Sequence, residues 1–181
     1  MANVIKLRKG LDIHLTGKVE STQVTSLKSK KYAVVPDSFG GVIPKVLVRE
    51  GDHVKAGDAL FVNKRYPEEK FASPVSGEVT SVVRGDRRKV LSIVIEADEK
   101  QEYIDFGQRN VETLTGDEVK QALLEVGLFG FIQQLPYAVA TTPDTLPRDI
   151  FVSAFRDMPL AADFEVELKG HEAEFQAGIT A

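Results

Sequence analysis

The sequence predicts an α+β chain: a flattened, mostly β sandwich followed by the opening of an α/β domain. Three observations carry this reading. Residues 40–84 write one phrase twice, since Gly41-Val42-Ile43, Val46-Leu47-Val48 and Gly51-Asp52 return in shorter form as Gly77-Glu78-Val79, Val82-Val83 and Gly85-Asp86. A repeated phrase of strand, strand and Gly-Asp turn predicts two matching hairpin units packed face to face, because neither buries its apolar side alone. Residues 89–96 are a β-branched run between charged loops, the composition of a half-buried strand. Residues 115–127 then switch to helical spacing, with stop and start signals at both ends.

Taken in order, the chain opens with alternation at Ile5-Lys6-Leu7-Arg8 and again from Leu11 to Leu15, which predicts a short strand or extended arm on each side of Gly10. Residues 16–31, rich in Ser, Thr and Lys, read as a loop. Residues 32–36 enter the repeated unit as a strand, and Asp37-Ser38-Phe39-Gly40 turn it. Within the first copy, Val54 and Leu60 flank another glycine turn at Gly57-Asp58. Residues 98–107 are predicted to leave the sandwich as an irregular, acidic connection.

Thr115-Gly116-Asp117-Glu118 has the form of a capping box, Val119, Ala122, Leu123 and Val126 follow at helical spacing, and Gly127 stands at the C-terminal cap. A helix over 116–126 follows. The apolar segment 128–132 leads into a proline and threonine loop, and residues 149–155 form a nearly continuous apolar run of the kind a buried parallel strand shows. One helix is expected around 160–175. The boundaries are 1–108 for the arm and sandwich and 109–181 for an α/β domain that lacks its return strands, which reads as a piece cut from a longer protein rather than as a small subdomain.

Composition narrows the function classes. At 181 residues, with 43% hydrophobic and 28% charged residues, the chain is ordinary for a soluble globular protein. Its formal net charge of -4 gives no electrostatic footprint for nucleic acid. With no cysteine, thiolate-held iron-sulfur clusters, zinc ribbons, disulfides and a cysteine nucleophile are excluded. The beginning of the chain has no apolar run suited to a signal peptide, and nowhere are there about 18 consecutive apolar residues for a membrane span. A cytoplasmic location is expected.

The pattern V-x-V-R-E-G-D-x-V-x-x-G-D-x-L-F, followed by A-S-P-V-S-G-E-V, resembles the barrel-sandwich hybrid fold of lipoyl and biotinyl carrier domains. Those carriers present their cofactor on a hairpin-tip lysine within E-T-D-K-A or A-M-K-M. Here residues 63–70 read Asn-Lys-Arg-Tyr-Pro-Glu-Glu-Lys, so Lys64 and Lys70 are expected to be solvated loop lysines without a covalent cofactor.

The lead-in I-K-L-R-K-G-L-D-I-H-L, the sandwich blocks, G-L-F-G-F-I-Q-Q-L-P-Y and I-F-V-S-A-F-R-D-M-P-L-A-A-D together resemble the N-terminal portion of the A-type subunit of the sodium-translocating NADH:quinone oxidoreductases. The resemblance implies a hydrophilic, cytoplasm-facing subunit on the inner membrane of a bacterium, held there by partner subunits. The complex as a whole oxidises NADH, reduces ubiquinone or a related quinone, exports sodium, and carries FAD, FMN and iron-sulfur groups. The α/β part is more distantly similar to the flavin- and NADH-binding subunit of respiratory complex I, and its order after the sandwich recurs in the electron-transport subunit of Rnf complexes. Those relatives cradle flavin phosphate in a G-R-G-G-A-G-F-P loop. Residues 127–136 here read Gly-Leu-Phe-Gly-Phe-Ile-Gln-Gln-Leu-Pro, and the acidic E-x-E-P that follows in those relatives is replaced by Arg156-Asp157-Met158-Pro159. This chain is therefore expected to bind no flavin or NADH.

No catalytic, cofactor or metal residue is assigned. His14, His53 and His171 lack partners at metal-ligand spacing and are read as structural or surface residues. Ser76, before Gly77-Glu78, is read as a turn serine. Phe129, Phe131 and Tyr137 are candidates for an apolar quinone pocket, with core packing as the plainer reading. The surface from 128 to 146 is the candidate docking patch. The alternative function is a stand-alone carrier or adaptor domain of the lipoyl kind.

Overall fold

The computed structural model describes residues 26–155 and 161–181, with Gly10, Thr16 and Met158. The expected strands around Gly10, His14 and most of the 16–31 loop lie outside the described residues. The sandwich is built from β1 (Lys31–Val34), β2 (Pro44–Val46), β3 (His53–Val54), β4 (Ala59–Asn63), β5 (Lys70–Ala72), β6 (Gly77–Arg84) and β7 (Val90–Ala97). One sheet has the order β1-β7-β6-β3 and the other β2-β4-β5, with antiparallel neighbours throughout.

The two copies of the repeated phrase do not form two separate units, which corrects the reading from sequence. β3 comes from the first copy yet pairs with β6 of the second, His53 opposite Glu78 and Val54 opposite Gly77. Backbone bonds from Gly51 to Val79 and from Val79 to Asp52, each 2.8 Å, extend that seam. The second copy is also one continuous strand, because residues 78–84 hold no glycine or proline to break it. The first copy breaks at Gly51, whose φ of 89° lies in the left-handed region.

Between the sheets lie Val54, Leu60, Phe61, Phe71, Val79, Val90, Ile93 and Ile95. β7 alternates as its sequence suggests, with Ile93 and Ile95 inward and Glu96 outward. β4 differs: Leu60, Phe61 and Val62 are buried consecutively. Successive strand residues point to opposite faces, so the smaller sheet is covered on both sides. Phe61 and Phe71 stack with ring centroids 4.6 Å apart.

Residues 98–107 are irregular, as expected, but they do not leave the sandwich. The Ala56 amide donates to the Glu102 carbonyl and the Ile104 amide to the Ala56 carbonyl, both at 2.9 Å, forming a short parallel bridge. Gln101 clasps Ser76 from two sides, accepting from its amide at 2.8 Å and donating to its carbonyl at 3.2 Å.

Helix α1 (Gly116–Val126) has the predicted bounds and both predicted caps. The Thr115 hydroxyl accepts from the Glu118 amide, the Glu118 carboxylate accepts from the Thr115 amide, and Gly127 adopts φ 77°. Its deepest residue is Leu124, beside the stripe named from spacing. A helical turn at Phe129–Phe131 follows, then a small hairpin of β8 (Gln133–Gln134) and β9 (Val139–Ala140).

Two expectations for the remaining chain are corrected. Residues 149–155 form no strand, and Ile150, Phe151, Val152 and Phe155 are exposed. A strand needs a neighbour for its donors and acceptors, and none of the described strands lies alongside. The helix expected over 160–175 is two helices, α2 (Phe164–Leu168) and α3 (Glu172–Thr180), separated at Gly170 with φ 87°. Phe164 and Phe175 meet edge to face across the break, centroids 5.4 Å apart.

Candidate functional site

The hairpin joining β4 to β5 carries residues 64–69, the stretch compared above with the lysine-bearing motif of carrier domains. Asn63 organises it. The Asn63 amide donates to the Glu69 carbonyl, the Tyr66 amide to the Asn63 carbonyl, and the Arg65 amide to the Asn63 side-chain oxygen, all at 3.0–3.1 Å. Lys64 projects into solvent, as expected for a loop lysine. Lys70 is not in the loop; it is a half-buried strand residue opposite Val62.

The residue turned inward at this tip is Glu69, which sequence reading passed over. Its side chain is fully buried. One carboxyl oxygen, Oε2, accepts from Asn63 Nδ2 at 2.8 Å, while Oε1 is buried without a hydrogen-bond partner. Burial pushes its carboxyl above the usual glutamate range, the Asn63 amide pulls it partly back, and the neighbouring charge of Glu68 pushes it up again.

What buries Glu69 is the segment after the sandwich. Gly130 comes so close that a Cβ on it would lie 2.5 Å from the Phe71 ring and 3.1 Å from Glu69 Oε1. Phe131 meets Phe39 edge to face at 5.1 Å, and α1 packs on β5. The Ala140 amide donates to the Gly40 carbonyl at 2.9 Å, and the Tyr66 hydroxyl reaches Asp144. Aromatic packing, glycine contact and hydrogen bonds therefore seat the second part on the sandwich at this tip.

Beside the seam, residues 131–135 and 147–153 border a cleft of about 850 Å³. Its apolar wall is Phe131, Ile132, Leu135, Ile150, Phe151 and Val152, with Gln134 and Arg148 among the polar groups. The three aromatic candidates separate. Phe129 is core, Phe131 lines the cleft while resting on Phe39, and Tyr137 is exposed and takes no part in the lining.

His53 pairs with Asp98 on the surface, Nε2 to Oδ2 at 3.0 Å, and His171 precedes α3 in an exposed position. Among the described residues no group of three or more His, Asp or Glu could hold a metal ion. Ser76 is fully buried at its turn and its hydroxyl accepts from the Glu102 amide at 2.8 Å. No described helix is long and apolar enough to cross a membrane.

Fold and site together define a class: a barrel-sandwich hybrid whose hairpin tip is covered by the α/β segment that follows it. Family models described as the NqrA N-terminal barrel-sandwich hybrid domain and the NqrA second alpha/beta domain match residues 5–98 and 114–181. The chain belongs to the NqrA family. Similar curated proteins include the A-type subunits of the Na(+)-translocating NADH-quinone reductases of Histophilus somni, Actinobacillus pleuropneumoniae serotype 5b and Haemophilus influenzae (strain PittGG). Each is 35% identical over 179 residues, covering 98% of this chain. The chain spans 40% of the length of these relatives.

Proposed function

We propose that the chain is the N-terminal part of a cytoplasm-facing, cofactor-free subunit of a complex that oxidises NADH, reduces ubiquinone or a related quinone, and exports sodium. The observation that carries this reading is the 35% identity, sustained over 98% of the chain, to relatives named as A-type subunits of Na(+)-translocating NADH-quinone reductases. The role is structural: the protein docks other subunits and has no turnover alone.

The geometry of residues 127–136 supports a protein without flavin or NADH. In a phosphate loop, glycines free backbone amides to face the ligand. Here the amides of Leu128, Phe131 and Ile132 donate to nearby backbone carbonyls, and the close approach at Gly130 is made to Phe71. Redox groups then belong to partner subunits. The cleft beside Phe131 falls within the roughly 300–1,000 Å³ range of small-molecule sites, and it is our candidate for a contribution to quinone binding.

Docking is supported by apolar side chains that the described structure leaves uncovered, Tyr137 at 82% and Phe151 at 81% exposure among them. Affinity capture of the full-length protein from native membranes, with the co-purifying proteins identified, tests the proposal. Recovery of the other subunits of a sodium-translocating NADH-quinone reductase is expected, and Tyr137→Glu with Phe151→Glu is expected to reduce it while the melting temperature holds. Phe131 is a poorer probe, because it also packs on Phe39. Binding of the purified protein to protein-free liposomes would overturn attachment through partners.

A further inference from the structure

We propose that Glu69 is a proton-operated latch: as the neutral acid it lies beneath the Phe129–Phe131 turn and lets residues 109–148 seat on the sandwich, and as the carboxylate it drives that turn off. This goes beyond the proposed complex and depends on no partner. The geometry has three parts. Glu69 is fully buried, one of its oxygens has a partner, and the other has none. Gly130 seals the site by an approach that a larger residue would prevent.

A carboxylate in such a place is poorly solvated and half satisfied, so either a proton stays on or water must enter. Water can enter only if the cover moves. Among the described residues no cation forms an ion pair with Glu69. The Phe129–Phe131 turn carries no charge, and β4 and β5 present Asn63 and Phe71. On the hairpin itself Glu68 adds repulsion, while Lys64, Arg65 and Lys70 form no salt bridge with Glu69. On α1, which packs against β5, Glu125 is paired with Arg109 and Lys120 acts on Asp144.

The direction follows from linkage. The closed form holds its proton more tightly than the open form, so Glu69 itself does not oppose closure below the ordinary glutamate value of 4.5. As pH rises from there to the raised value of the closed state, the closed-to-open ratio falls by about tenfold per pH unit, and above it the ratio is flat. On opening, the proton goes to solvent.

Hydrogen exchange read residue by residue, corrected for intrinsic rates, tests the latch in the wild-type chain and in Glu69→Gln. In the wild type, the amides of Leu128, Phe131, Ile132 and Ala140 should lose protection with rising pH relative to Leu47 and Val79 of the sandwich. In Glu69→Gln that difference should vanish, with the junction more protected at alkaline pH than in the wild type. A variant that keeps the wild-type pH slope overturns the latch. Should the glutamine variant fail to fold, carboxyl ¹³C titration of wild-type Glu69 decides. A raised midpoint shared with the junction amides supports the proposal, and an ordinary glutamate titration overturns it.

Discussion

The Tyr66 hydroxyl donates to Asp144 Oδ2 at 2.9 Å, joining the hairpin tip of the sandwich to a loop 78 residues further along the chain. Each partner shifts the other. The Asp144 bond raises the Tyr66 phenol above its ordinary value, while Thr142 and then Tyr66 hold the Asp144 carboxyl below its own. A depressed aspartate stabilises the fold above its unfolded value of 3.8, and the gain is lost as pH falls through the folded value. Tyr66→Phe should therefore loosen residues 142–145 at neutral pH and reduce the acid sensitivity of that loop. Limited proteolysis across the acid range checks this; equal cleavage of variant and wild type at neutral pH counts against it.

Three glycines are expected to respond with different signs to the same substitution. Gly130→Ala places a methyl group against Phe71 and should destabilise by about 1–3 kcal/mol through overpacking. Gly127→Ala combines φ 77° with a contact 3.0 Å from Ala72 and should cost about 1 kcal/mol or more. Gly116→Ala, at the first position of α1 with open space around it, should stabilise by about 0.4–1 kcal/mol. Urea denaturation of the three variants measures the order directly.

The capping box gives a local test. Thr115→Ala removes the hydroxyl that accepts from the Glu118 amide and should cost about 1 kcal/mol. Hydrogen bonds from the Thr115 backbone, then from its side chain, depress the Glu118 carboxyl, so its contribution fades as pH falls through that lowered value. The gap between circular dichroism melts of Thr115→Ala and wild type should thus narrow under acid conditions.

Lys64 and Lys70 should both remain unmodified, and no flavin should bind. Protein produced alongside lipoyl and biotin ligases, then mixed with FMN, is expected to keep its sequence mass and stay colourless. An adduct on either lysine, or a stoichiometric flavin spectrum, would revive the carrier or redox reading.

The sequence showed most where interactions are local. Thr115, Glu118 and Gly127 mark the ends of α1 because capping bonds span only three to five residues. It showed little where partners are distant. Nothing in the repeated phrase says that Val54 will pair with Gly77, or that Gln101 will clasp Ser76. Glu68 and Glu69 are adjacent and chemically alike, yet one is exposed and the other is fully buried with Gly130, 61 residues away, packed near its carboxyl. At residues 149–155 composition indicated a strand, but a strand exists only with a neighbour.

In the larger sheet β1 pairs with β7, Lys31 opposite Glu96, so the first and last sandwich strands among the described residues are neighbours. During synthesis, then, β1 leaves the ribosome long before its mate exists. Until residue 97 emerges, its row of backbone donors and acceptors stays open to water or to other nascent chains. Contacts this far apart also slow the closing step. The interval before closure is the period in which a translating cell has to shield this chain from aggregation.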